Sequence, residues 1–151
     1  MEIEEIIKSN SVLPLAKKTL LNILFTHNLT SEKLHEVLKV YDLSAEQFNV
    51  LRILKGQKGN PINMSDIQER MIAKASNTTR LVDKLLLKDL CTRKVCPENR
   101  RKIEVLITPK GLQLLENVDP EVENFENKWA QKLNVEELTI LNNLLEKLRN
   151  Q

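Results

Sequence analysis

Ser76-Asn-Thr-Thr-Arg-Leu-Val-Asp-Lys-Leu85 is followed closely by Cys91-Thr-Arg-Lys-Val-Cys96, Pro97-Glu-Asn-Arg-Arg101 and Lys102-Ile-Glu-Val-Leu-Ile107. The first stretch opens on small polar residues. It then sets Leu81, Val82, Leu85 and Leu86 on one side of a helix, with Ser76 as the expected N-cap. Arg80, Lys84 and Lys88 recur at i, i+4 and i+8, which makes a basic stripe opposite the leucines. The next stretches alternate, are rich in β-branched residues and flank a polar turn, so they read as a β-hairpin. Its tip carries Arg100, Arg101 and Lys102.

Working outward toward the N-terminus, Ala73-Lys74-Ala75 is a tight connection. Ser65-Asp-Ile-Gln68 has the pattern of a capping box and opens a short helix through about Ile72. Gln57 to Pro61 is a loop. Ser44-Ala-Glu-Gln47 is a second capping box, leading Phe48, Leu51, Ile53 and Leu54 along an apolar face. A break is expected at Asp42-Leu43. Before it, apolar positions at helical spacing from about Val12 to Val40 predict one long helix, straight or kinked near Thr30-Ser31.

Toward the C-terminus, Thr108-Pro109 starts a helix, with threonine as N-cap and proline at the first helical position. That helix ends near Asp119, where Pro120 opens a second segment, or runs through to Trp129. Asn134-Val-Glu-Glu137 caps a last helix bearing Leu138, Leu141, Leu144, Leu145 and Leu148. The fold class is mainly α with a small β wing. The chain reads as one domain, 1–151. Residues 41–110 form a winged helix-turn-helix, and 1–40 and 111–151 are outer helices. Leu20, Leu21, Ile23, Leu24 and Phe25 nearly ring one segment, more apolar surface than the small middle block can cover. A second copy of the chain is the natural cover. The expected interface residues are Leu13, Leu20, Leu24, Leu138, Leu141 and Leu145.

The charge is uneven. Arg70 to Lys102 holds ten Lys/Arg against three Asp/Glu, a local +7, while the whole chain is only +2. One basic third in a near-neutral chain points to a local polyanion. A helix with a basic stripe, or a basic turn, is usually just a solvated surface. The two in this order are more specific. A major groove admits one helix, and residues near that helix's N-terminus reach base edges. Lys74, Ser76, Asn77, Thr78, Thr79, Arg80 and Lys84 are the candidates there. A cationic hairpin tip enters a minor groove, where negative potential concentrates. Arg93, Asn99, Arg100, Arg101 and Lys102 are the candidates for that contact.

In Leu43-Ser-Ala-Glu-Gln-Phe-Asn-Val-Leu51, in Ser76 to Leu85, and in Asn99-Arg-Arg101 leading to Leu106-Ile-Thr-Pro-Lys-Gly111, the chain resembles the MarR-type (multiple antibiotic resistance) regulators. The resemblance covers nearly the whole chain. It implies an obligate homodimer built from the terminal helices, acting on double-stranded DNA at a pseudo-palindromic operator. It also implies a small-molecule effector between the dimer helices and the DNA-binding block, though no ligand is assigned. The wing arginine of the family maps onto Arg101. The aspartate that orients it maps onto Asn99, a departure that keeps an acceptor but loses the charge. Asp89 stands where the family often has a glycine closing the recognition helix, and aspartate tolerates the left-handed conformation. Ile72 stands where a small turn residue is common.

Other readings are weaker. Cys91 and Cys96, five apart on one strand, are expected to point to opposite faces; a redox response would need a thiol with lowered pKa beside Arg93 and Lys94. His27 and His35 are too loosely spaced for a metal site, and no cofactor is expected. No phosphate loop, nucleophile elbow or metal-hydrolase motif is present, so the chain does not read as an enzyme. The rival in another class is a winged-helix protein–protein adaptor. No stretch approaches the ~18 to 20 apolar residues of a membrane span. The acidic Met1-Glu-Ile-Glu-Glu start is unlike a secretory signal, so the expected location is cytoplasmic.

Overall fold

The computed structural model describes residues 1–150. The chain divides into two compact units, residues 1–45 and 46–151. The first holds α1 (Ile3–Ile6), α2 (Leu15–Leu38) and a 3-10 turn at Lys39–Tyr41. The second holds α3 (Ala45–Lys55), β1 (Ile62–Asn63), α4 (Met64–Arg70), α5 (Thr78–Leu87), β2 (Cys91–Val95), β3 (Ile103–Ile107), α6 (Pro109–Ala130) and α7 (Val135–Arg149). Among the described residues, no helix is long and apolar enough to cross a membrane.

In the first unit, α2 is one continuous helix of 24 residues that runs through Thr30-Ser31, as expected. The Thr30 hydroxyl donates to the Thr26 carbonyl one turn back, which lets threonine sit inside the helix. The chain leaves at Asp42, in the left-handed region at φ +54°, where the sequence placed a break. The short α1 was not expected. Lys18 ties it to α2 through Glu2 at 2.7 Å and Glu4 at 3.1 Å. Leu13 is only 9% exposed, so its own chain already covers it. That corrects its place in the expected dimer interface. Leu20 and Leu24 are 57% and 50% exposed.

The core of the second unit is built from α3, α4, α5 and the sheet. Phe48, Val50, Leu51 and Leu54 of α3 are buried, as are Ile67, Met71, Val82, Leu85, Val105 and Ile107. Each such aliphatic side chain contributes about 1.5–3 kcal/mol on burial. The sheet is antiparallel with strand order β1-β3-β2. β2 and β3 pair Cys91 with Ile107, Arg93 with Val105 and Val95 with Ile103, the hairpin the sequence predicted. β1 was missed: Ile62 pairs with Val105, and two residues are too short to show alternation.

Two helix starts differ from expectation. The N-cap of α4 is Asn63, whose side chain accepts from Asp66 N–H at 2.9 Å, while Ser65 donates to Asn63. The helix also ends at Arg70, two residues short of Ile72. The N-cap of α5 is Asn77, accepting from Arg80 N–H at 3.1 Å, not Ser76. In both cases an asparagine holds the cap expected of a nearby serine of equal N-cap rank, so rank alone does not decide the start. The starts of α6 and α7 match expectation. Thr108 accepts from Gly111 N–H at 3.0 Å, and Asn134 and Glu137 bond reciprocally at 2.9 Å.

Of the two readings at Pro120, the long one holds, since α6 continues to Ala130. Gly111, Leu115, Val118 and Val122 form its buried stripe. Gly111 is needed for close approach: a Cβ there would collide with the Leu90 carbonyl oxygen and with Ile107 Cγ1.

Candidate nucleic-acid interface

α4, the connection over residues 71–77 and α5 make the helix-turn-helix. Met71, at the end of α4, is 1% exposed and extended, and it anchors the turn in the core. Val82 and Leu85, both fully buried, seat α5. The outer face of α5 then carries Thr79, Arg80 and Lys84, all exposed. The stripe is shorter than expected, because the helix ends at Leu87 and Lys88 lies at its C-cap. Asp89 follows at φ +57°, the left-handed position the sequence required of it. Leu90 N–H returns to the Leu85 carbonyl at 3.0 Å, closing the helix.

The site residues sort by what their side chains do. Asn77, Thr79, Arg80 and Lys84 are exposed at the start and along the outer face of α5, and Ser76 is half-buried just before it. Lys74 is exposed, but its ammonium folds back onto the Glu69 carbonyl. Thr78 corrects the expectation: it is 4% exposed, and its hydroxyl donates to Gln68 Oε1 inside the body. At helical spacing Thr78 shares the inward side with Val82 and Leu85, a position that polarity alone misassigns to the surface.

The hairpin is anchored at its base and free at its tip. Cys91, Val105 and Ile107 are buried, while Thr92, Arg93, Lys94 and Val95 are exposed. Both faces of β2 are therefore solvated beyond Cys91. The tip is closed by Cys96 N–H to the Lys102 carbonyl and Lys102 N–H to the Asn99 carbonyl, each 2.8 Å. Asn99 Oδ1 accepts from Arg101 N–H at 3.1 Å. The amide thus fixes the backbone of Arg101 without a charge. Arg100, Arg101 and Lys102 are exposed, and among the described residues no ion pair holds their side chains. Arg93 differs from them: Asp83 of α5 holds its guanidinium at 2.7 Å.

Cys91 does not suit redox work. Burial pushes its thiol up to about 11, against an ordinary 9.0, and the attraction of Arg93 does not offset this. The expected lowering does not occur there. Both cysteines are free.

Sequence reasoning missed the polar side chains that hold the turn. Asn49 of α3 accepts from Ile72 N–H at 3.0 Å, and Gln68 of α4 donates to the Lys74 carbonyl at 2.9 Å. An amide residue among apolar helix positions was the available signal. Gln68 was read instead as half of a capping box.

The sequence pattern of the MarR family matches residues 43–103, the stretch that contains α4, α5, β2 and the hairpin tip. A MarR transcription factor from Planctomyces limnophilus is 30% identical, with 90% of this chain and 98% of that one covered and a TM-score of 0.70. The HTH-type transcriptional repressor IacR of Pseudomonas putida is 28% identical over 120 residues, 80% of this chain and 71% of IacR. A mutant MarR from E. coli complexed with operator DNA shares the fold at 23% identity and a TM-score of 0.74, with 83% and 89% covered. The buried seat of α5, the exposed cationic hairpin tip and these likenesses agree: the chain belongs to the MarR family of DNA-binding transcription regulators.

Proposed function

We propose that the protein is a homodimer that binds a pseudo-palindromic operator, with α5 in the major groove and the hairpin tip in the adjacent minor groove. The observation that carries this reading is the cationic tip. Arg100, Arg101 and Lys102 stand exposed on a hairpin whose turn Asn99 closes. An adaptor surface has no need of three adjacent cations free of acidic partners. Asn77, Thr79 and Arg80 contact base edges, Lys84 contacts a phosphate, and Arg101 enters the minor groove. The N-terminus of α5 adds its own attraction for a phosphate.

Support for the dimer comes from the outer helices. Leu20 and Leu24 of α2 are 57% and 50% exposed; on α7 the expected Leu138, Leu141 and Leu145 are half-buried, and Leu144 and Leu148 beside them are 54% and 64% exposed. Apolar faces of this extent mark protein contacts. A two-fold dimer presents α5 twice, so half-sites lie about one helical turn apart, roughly 34–36 Å. The sign of control is repression, as the name of IacR has it for that protein: a dimer lying across a promoter excludes polymerase.

The test is selection of bound sites from random duplex DNA, followed by gel shift at several salt concentrations. The expected result is a two-fold symmetric site whose affinity falls steeply with salt. Negligible affinity for any duplex at low salt would hand the case to the adaptor reading.

A further inference from the structure

Between Met71 and Thr78 the turn has no apolar anchor. Ile72, Ala73, Lys74 and Ala75 are exposed, Ile72 at 87%. Yet this turn fixes the angle at which α5 leaves the body. What holds it is polar. One side chain, Gln68, bonds at both ends of the second half of the turn: its Nε2 donates to the Lys74 carbonyl at 2.9 Å, and its Oε1 accepts from the Thr78 hydroxyl. Thr78 is the first residue of α5 and is 4% exposed.

We infer that Gln68 and Thr78 are positioning residues that set the orientation of α5 toward DNA, and so govern sequence discrimination more than affinity. The inference rests on the reading of α5 given above. The reason is directional. Val82 and Leu85 fix how deeply α5 is seated, but packed aliphatic chains constrain rotation about the seat weakly. A hydrogen bond from the first helical residue to a neighbouring helix constrains that rotation. Base-edge contacts need their partners held within about 0.5 Å. Phosphate contacts made by flexible lysines and arginines tolerate a shifted helix. Loss of the bracket therefore costs base reading first.

The experiment uses the full chain and the selected operator beside a scrambled duplex of the same length. Thr78→Val removes the hydroxyl at constant shape, and Thr78→Ser restores it. The expected result for Thr78→Val is a drop of about tenfold in the operator-to-scrambled affinity ratio, the size of one lost base contact. Its scrambled affinity and salt slope should stay as in the parent, and Thr78→Ser should recover the ratio. Gln68→Met, at a half-buried position, removes both bonds and carries the same expectation. It serves at assay temperature if Thr78→Val melts early. Arg80→Ala separates the two failures. Should it leave the ratio unchanged, α5 is not the reader and the underlying proposal falls. Should it lower the ratio while Thr78→Val and Gln68→Met do not, the bracket alone is overturned. An equal loss on both duplexes would also overturn it, since that is the mark of a general structural role.

Discussion

α5 and α7 begin in the same way, each on an asparagine that caps the amide three residues on. Both then carry leucines at helical spacing. In α5 that spacing ends in burial, with Val82 and Leu85 fully enclosed. In α7 no residue is buried, and Leu144 and Leu148 remain more than half exposed. The same local rules thus produce one helix that its own chain completes and another that it leaves open. The completed helix shows its polar side outward and can read a polyanion. The open one shows apolar side chains outward, and the cover proposed for it is a second copy.

The most forceful way to break this contrast is to charge the open faces. Leu144→Glu with Leu148→Glu, and separately Leu20→Glu with Leu24→Glu, should halve the mass seen by sedimentation. They should also weaken operator binding by about 10²- to 10⁴-fold, the avidity lost with the second half-site. If the chain works alone, these exposed positions should change stability by only about 0.5 kcal/mol and leave the mass as it was. Next in size is the enclosed face: Leu85→Ala should cost about 2–5 kcal/mol in urea unfolding, because the core relaxes only partly around the cavity. A loss below 1 kcal/mol would mean α5 is not seated as described.

Smaller effects sharpen the outward side of the comparison. Arg101→Ala should weaken operator binding by about 1–3 kcal/mol and lower the slope of log affinity against log salt by about 1. An unchanged slope would take Arg101 off the DNA. Asn99→Ala removes the acceptor that closes the tip, and the cost is that of one hydrogen bond, about 0.5–1.5 kcal/mol of binding. Asn99→Asp, which retains the acceptor, should bind at least as well as the parent.

The smallest effect concerns Cys91. Its thiol is raised from 9.0 to about 11 by burial, so the fold favours the protonated form. The associated stability is whole below about pH 9 and is lost as pH rises through about 11. The parent should therefore lose more Tm between pH 8 and pH 10.5 than Cys91→Val does. Equal losses in the two proteins would show that Cys91 is not held in an apolar site.

Much of the molecule was readable in advance where a signal is local. The caps at Thr108 and Asn134, the left-handed Asp89 and the alternating strands around Pro97 to Arg101 each depend on neighbours within a few residues. Two errors were local ties between residues of equal capping rank: Asn63 and Asn77 took the caps expected of Ser65 and Ser76. Another fell where the choice was not local. β1 exists only because Ile62 finds Val105, 43 positions away in the chain. Thr78 looked like a surface residue because it is small and polar, but helix phase put it beside Val82 and Leu85.

By itself, then, the sequence determined the order of the elements other than α1 and β1, the basic third of the chain and the presence of a hairpin with three cations at its tip. Those follow from periodicity, capping chemistry and charge, which act over one or two turns. Only the tertiary structure decided which of the polar residues face outward. It seated α5 through Val82 and Leu85, enclosed Thr78 against Gln68, engaged Arg93 with Asp83, and left Arg101 exposed. The physical reason is that burial and pairing are decided by partners distant in sequence, and a buried hydroxyl or a paired guanidinium cannot be told from a free one until those partners are in place.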